Sequence, residues 1–212
     1  MRYKFIAVEG PIGVGKTSLV HRLGEKFNAR EFFENVENPF LEAFYDDRPG
    51  AAFQAQLFFL LNRYQQQKDL AQTDLFHQFT IADYLFAKDK IFAYLNLSDS
   101  ELIVYERLYG LLEANLPGPD LVIYLQASTD VLVDRIRKRR RDVESRISEV
   151  YIDEVNKAYN HFFFHYDTTP LLVIDTTDID FVQREADMND LVARIQSMER
   201  GVHYYVPLGS RK

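Results

Sequence analysis

At 212 residues, 47% of them hydrophobic and 27% charged, with 9 Gly and 7 Pro, the chain has the profile of one globular domain spanning 1–212 rather than of a disordered or fibrous protein. The absence of Cys excludes disulfides, thiolate metal sites and a Cys nucleophile. A formal net charge of −7 disfavours nucleic acid as a partner and leaves anion binding to local groups of Lys and Arg.

Strand and helix patterns alternate along the chain. Residues Tyr3–Val8 read as a strand, and Thr17 to about Phe27 as a helix that turns Leu19, Val20, Leu23 and Phe27 inward. A second short strand at 31–34 leads through a polar stretch to one long helix at 51–72, where Phe53, Leu57, Leu60, Leu61 and Tyr64 follow helical spacing. The strand 78–82 ends at Asp83, with helical segments expected around 84–95 and 99–115. Asp120–Leu125 is an apolar run of the buried type, followed by a helix from about Thr129 into a basic segment ending near Arg146, and by another helix at about 148–166. Leu171–Ile174 supplies a fifth strand and Asp187–Glu199 a closing helix. Five strands alternating with helices predict an α/β fold, a parallel sheet covered on both faces, with ligands at the carboxyl ends of its strands. The first nine residues carry too short an apolar stretch for a signal peptide, and runs such as 57–61 fall far short of the ~20 residues that span a membrane. The expected location is the cytoplasm, with no membrane partner.

Between the first strand and the first helix stands Gly10-Pro11-Ile12-Gly13-Val14-Gly15-Lys16-Thr17-Ser18, which meets the spacing G-x-x-x-x-G-K-[ST] in the strand-loop-helix context the motif requires. Glycines let the backbone wrap so that its N–H groups face phosphate oxygens, and the helix that follows adds the positive end of its dipole. Lys16 is expected on the β- and γ-phosphates and the Thr17 hydroxyl on Mg²⁺. The loop alone leaves kinase, ATPase and GTP-dependent switch open. A guanine-reading Asn-Lys-x-Asp is absent, and the D-x-x-G match at 47–50 falls in a loop, which disfavours the switch. The five His show no metal-ligand spacing.

From residue 6 to about 199 the sequence resembles the deoxynucleoside kinases, in particular the bacterial deoxyadenosine and deoxyguanosine kinases. The resemblance rests on the phosphate loop, then in order on 34–40 (Glu-Asn-Val-Glu-Asn-Pro-Phe), 53–58 (Phe-Gln-Ala-Gln-Leu-Phe), 82–86 (Ala-Asp-Tyr-Leu-Phe), 123–127 (Ile-Tyr-Leu-Gln-Ala) and the Arg-rich segment 135–141. It implies a P-loop kinase fold with an Arg-rich lid at about 135–147, ATP and Mg²⁺ as cofactors, a deoxynucleoside acceptor favouring purines, and a homodimer.

The resemblance also implies roles for single residues. Glu34, just after the second strand and so expected beside the phosphate loop, is the base for the acceptor 5′-hydroxyl, although Asn35 stands where the family commonly has Pro. Gln56 pairs with the nucleobase. Tyr45 and Glu144 hold the sugar 3′-hydroxyl, and Asp180-Phe181 lies in the loop around the adenine of ATP. Arg135, Arg139 and Arg141 close on the transferred phosphoryl group. Asp83 is either a Mg²⁺-positioning carboxylate or a helix N-cap. The family often has acid-Arg-Ser where this chain reads Asp83-Tyr84-Leu85, so an Arg is missing. The missing Arg bears on Asp89, which aligns with a family Asp that helps read the base, and Arg63 is the candidate to compensate. Gln56 and Arg63 share a helix face, which is either a ligand face or a solvated stripe. The rival readings are a pyrimidine or broad-specificity deoxynucleoside kinase, a nucleoside monophosphate kinase, which would need Arg residues near 34–63 where Arg48 and Arg63 stand, a basic patch for nucleic acid at 135–141, and an ATP-binding module without acceptor chemistry.

Overall fold

The computed structural model describes residues 2–70, 77–139 and 147–206. These fall into two compact units, one made of 2–33, 77–85 and 119–206 and the other of 34–70 and 86–118.

The first unit is built on a parallel sheet of six strands, β1 (Phe5–Glu9), β2 (Arg30–Phe32), β3 (Thr80–Ala82), β4 (Leu121–Gln126), β5 (Leu171–Asp175) and β6 (Val202–Tyr205), in the order β2-β3-β1-β4-β5-β6. The sixth strand corrects the five read from sequence. It pairs with β5 from Leu171↔Val202 to Ile174↔Tyr205 at the edge of the sheet. Ile6, Ala7, Val8 and Leu121 to Leu125 are almost wholly buried, as expected of parallel strands covered on both faces. The chain leaves β1 toward the β3 side and later returns on the β4 side, so β1 sits where the strand order reverses. Outside the carboxyl ends of the strands at that point, open α/β sheets bind their ligands.

Helix α1 (Lys16–Phe27) follows β1 and buries Leu19, Val20 and Leu23, each worth roughly 1.5–3 kcal/mol relative to exposure. Asn28, in the left-handed conformation at φ 47, ends it.

The second unit is helical. It holds α2 (Leu41–Tyr45), α3 (Ala51–Leu70), α4 (Lys88–Asn96) and α5 (Asp99–Glu113), packed around Leu60, Phe86, Ala93, Leu97, Tyr105 and Tyr109. Helix α5 opens with a capping box in which Ser98 N–H donates to Glu101 Oε2 at 2.9 Å.

One expectation changes here, and one open alternative is decided. Helix α4 begins at Lys88 rather than near 84, because Asp83 N–H still donates to Phe32 O in the sheet and Leu85 N–H is taken by Glu9 Oε2. In α3 the buried face carries Gln56, Leu60, Arg63 and Gln67, while Leu61 is 58% exposed. The polar face therefore points inward. The remaining helices, α6 (Thr129–Arg139), α7 (Glu149–Phe164) and α8 (Glu185–Gln196), belong to the sheet unit.

Candidate active site

The loop between β1 and α1 is pressed against its surroundings. A Cβ at Gly10 would lie 2.3 Å from the carbonyl oxygen of Leu125 at the end of β4, and one at Gly13 would lie 2.8 Å from Ile136 Cγ1 of α6. Only a residue without a side chain fits either place. Val14 N–H donates to Pro11 O at 3.3 Å, and Ile12 packs partly against the core. Lys16 Nζ spans the loop, donating to Gly10 O at 2.6 Å and to Pro11 O at 3.2 Å. Ser18 follows in the first turn of α1.

Thr17 and Asp83, 66 residues apart, are brought together by the β1–β3 pairing, with Thr17 Oγ1 donating to Asp83 Oδ2 at 2.9 Å. A hydroxyl beside a carboxylate at a phosphate loop is an oxygen donor pair of the kind that suits Mg²⁺ held jointly with substrate phosphates. Among the described residues no cluster of three or more His, Asp or Glu could hold a metal by itself.

Glu9, unnoticed in the sequence, ends β1 fully buried. Its Oε1 accepts from Gly10 N–H at 2.9 Å and from the Tyr159 hydroxyl at 3.2 Å, its Oε2 accepts from Leu85 N–H at 2.9 Å, and Lys16 Nζ lies 4.0 Å away. The carboxylate ties the start of the phosphate loop to the segment after Asp83 and to α7. A lone Glu at a strand end offers no pattern that would have revealed this.

Arg135 points back to the loop, donating to Val14 O, Thr176 Oγ1 and Thr176 O at 3.3, 3.1 and 2.7 Å. Burial lowers its pKa against the opposing pull of Asp180 and Asp175. Arg139 is the exposed last residue of α6. Arg141 and Glu144 lie outside the described residues. Phe181 is 3% exposed, its ring filling the space above Gly15, and the Asp180 carboxylate accepts from the N–H groups of Val182 and Gln183.

The helical unit gathers a second group of charges. Arg63 of α3 lies between two carboxylates: its Nε and Nη2 each reach Glu34 Oε1 at 2.7 Å, and its Nη1 pairs with Asp89. Lys88, another residue the sequence did not single out, donates to Glu34 Oε2 at 2.5 Å. Asp89 also accepts from Gln56 Nε2 at 2.6 Å and from the Tyr105 hydroxyl at 2.8 Å.

Burial alone would raise the Glu34 carboxyl, but the charges and hydrogen bonds of Lys88 and Arg63 outweigh it and hold the group down at about 2. The same exchange raises Arg63, whose burial is overcome by Glu34 and Asp89. Burial and the adjacent Asp89 raise the Tyr105 phenol.

Gln56, Arg63 and Asp89 therefore form one connected group with Glu34, and the α3 face that Gln56 and Arg63 share is buried rather than solvated. Tyr45, the last residue of α2, is half-buried with its ring 5.2 Å from that of Phe44. At position 84, where the family often has Arg, stands a buried Tyr whose ring is 6.3 Å from Phe32. Within the helical unit, Glu34 is paired with Arg63 and Lys88.

Residues 6–199 match the family model described as deoxynucleoside kinase. The chain belongs to the deoxynucleoside kinase family. It is 37% identical over 200 residues to the deoxyguanosine kinase of Bacillus subtilis (strain 168), covering 92% of this chain and 97% of that protein. It is 28% identical over 201 residues to the deoxyadenosine/deoxycytidine kinase of the same organism, covering 91% and 92%. Among solved structures it resembles deoxyadenosine kinase from M. mycoides with products dCMP and a flexible dCDP bound, with TM-score 0.79 and 29% identity over 92% of this chain and 100% of that one. Another structure of that enzyme, with bound dATP, gives TM-score 0.77 at 28% identity over the same shares of the two chains. This kinase transfers a phosphoryl group from a nucleotide donor to the 5′-hydroxyl of a deoxynucleoside.

Proposed function

We propose that this kinase uses ATP with Mg²⁺ to convert purine deoxynucleosides, deoxyguanosine and deoxyadenosine, to their 5′-monophosphates in nucleotide salvage. The reading places the enzyme in the cytoplasm as a homodimer. The observation that carries the proposal is the Glu34 carboxylate, with only 10% of its side chain exposed, ionised between Arg63 and Lys88 and linked through Arg63 to Gln56 and Asp89.

In this reading the phosphate-loop amides of 10–15 and Lys16 bind the donor phosphates, and Thr17 and Asp83 hold Mg²⁺. When bound, Mg²⁺ supplies positive charge to the phosphate oxygens. Glu34 orients the 5′-hydroxyl for in-line attack and takes its proton, work that needs an ionised carboxylate within hydrogen-bond reach. Gln56, Arg63 and Asp89 present amide, guanidinium and carboxylate groups to the edge of the base. Tyr45 and Glu144 hold the 3′-hydroxyl, Arg135, Arg139 and Arg141 neutralise the phosphoryl group in transfer, and Asp180 and Phe181 border the adenine of ATP.

The purine preference is supported by the similarity to deoxyguanosine kinase, although the M. mycoides relative has been solved with dCTP as well as dATP. A monophosphate acceptor is disfavoured by the two arginines at 34–63, since Arg63 is engaged by Glu34 and Asp89, and exposed Arg48 pairs with Asp46. Pairing into a dimer is supported by the exposed apolar residues Ile103, Val104, Leu108 and Leu111 on α5.

The test is ADP formation from Mg-ATP with each of the four deoxynucleosides, with their monophosphates and without acceptor. The proposal expects the highest kcat/KM for deoxyguanosine or deoxyadenosine. Turnover that prefers deoxycytidine or thymidine overturns the purine assignment, and turnover with monophosphates alone overturns the acceptor site.

A further inference from the structure

The lysine on Glu34 stands where local physics disfavours one. Lys88 is the first residue of α4, at the positive end of the helix dipole, and its side chain is 4% exposed. Burying an ammonium costs several kcal/mol unless a partner offsets the lost hydration, and the partner here is Glu34 Oε2 at 2.5 Å. Arg63 places two nitrogens on the other oxygen, Oε1. The two oxygens of one carboxylate are thus fixed by cations from different helices, Oε1 from α3 and Oε2 from α4.

We propose that Lys88 is a positioning residue for phosphoryl transfer, acting through Glu34 by fixing the rotation of the carboxylate that receives the proton of the acceptor hydroxyl. The inference rests on the reading of Glu34 as that base. In the step it serves, the 5′ O–H bond breaks, its proton passes to Glu34, the new O–P bond forms, and the bond from the γ-phosphorus to the β-phosphate oxygen breaks to release ADP. Before transfer, Arg63 and Lys88 balance Glu34 and Asp89, two charges of each sign. Once Glu34 is protonated the group carries one positive charge, which favours loss of the proton to solvent and resets the base.

Among the described residues, the charged groups paired with Glu34 include Arg63 from α3 and Lys88 from α4, with Asp89 acting through Arg63 and Tyr105 of α5 through Asp89. Without Lys88 a cation that holds the carboxyl down is gone, and it moves back toward the ordinary range.

The experiment is kcat and KM for the preferred deoxynucleoside between pH 4 and 9 in wild type, Lys88→Met, Lys88→Arg and Glu34→Gln. The expected result is a fall in kcat of about tenfold or more at pH 7 for Lys88→Met, with KM changed far less, and an acidic limb that wild type lacks. Lys88→Arg, which keeps the charge, should recover most of kcat and the wild-type pH profile. Three results overturn the inference: a Lys88→Met enzyme with unchanged kcat and profile, an equal loss at every pH that follows a drop in melting temperature, or a Lys88→Arg enzyme that folds but shows the acidic limb. If Glu34→Gln retains full turnover, the reading of Glu34 itself falls. If Glu34→Gln is inactive and Lys88→Met unaffected, only the role of Lys88 falls.

Discussion

Replacing Arg63 by Met removes a cation that touches both Glu34 and Asp89. The Arg63 side chain is 6% exposed, and that of Asp89 is fully buried. Glu34 would keep Lys88, but Asp89 would be left beside the neutral donors Gln56 and Tyr105. Breaking a buried pair by removing one partner costs about 3–5 kcal/mol, a large part of the ~5–15 kcal/mol that holds a typical domain folded. Arg63→Lys retains the charge but loses the fork that reaches two carboxylates at once, so a smaller loss of about 1–3 kcal/mol is expected. Urea unfolding followed by circular dichroism, with hydrogen exchange of the α3 and α4 amides, measures both variants. Adding Asp89→Asn to Arg63→Met should recover part of the loss, because it removes the stranded charge, and the double-mutant cycle should show a coupling of roughly 0.5–3 kcal/mol. A loss under about 1 kcal/mol for Arg63→Met, or strictly additive effects, would refute the view that one buried charge network organises this unit.

Other perturbations test other parts of the account. The Glu34 carboxyl, lowered from 4.5 to about 2, stabilises the fold above pH 4.5, and that contribution is lost as pH falls from 4.5 toward 2; at ~1.4 kcal/mol per tenfold in acidity it is worth roughly 3 kcal/mol, so unfolding free energy measured from pH 6 to 2.5 should fall less steeply in Glu34→Gln than in wild type. Gly10→Ala, whose Cβ would meet Leu125 O at 2.3 Å, should weaken nucleotide binding by about tenfold or more in a calorimetric titration, whereas Gly50→Ala, with open space around its Cβ and φ of 76°, should cost only ~1 kcal/mol of stability and leave binding intact. Sedimentation should find a dimer in wild type and a monomer in a Val104→Asp, Leu111→Asp variant if α5 forms the interface.

What the sequence made legible was whatever a local pattern encodes. The phosphate loop was readable because close approach of its backbone dictates both residue type and spacing. The long apolar runs of β1, β4 and β5 were readable because parallel strands are buried on both faces. Strand β6 was missed because Val202-His203-Tyr204-Tyr205 is short, lies at the sheet edge, and leaves Val202 and Tyr204 exposed. Helix α3 was readable as a helix from its apolar spacing, but which face is buried stayed open, because it is set by the partners of Gln56 and Arg63, which come from 34 and 89, far off in sequence. Lys88 and Glu9 were invisible for a related reason. A lysine at a helix start and a glutamate at a strand end each read as solvated until the fold supplies a partner.

The central claim is that Glu34 is the base that readies the acceptor hydroxyl. The most direct test is single-turnover formation of the deoxynucleoside 5′-monophosphate from Mg-ATP by wild type and Glu34→Gln, with nucleotide binding measured in parallel. The account predicts unchanged ATP affinity and a fall in the transfer rate of about 10²–10⁴-fold in the variant. Transfer at the wild-type rate by Glu34→Gln would contradict it.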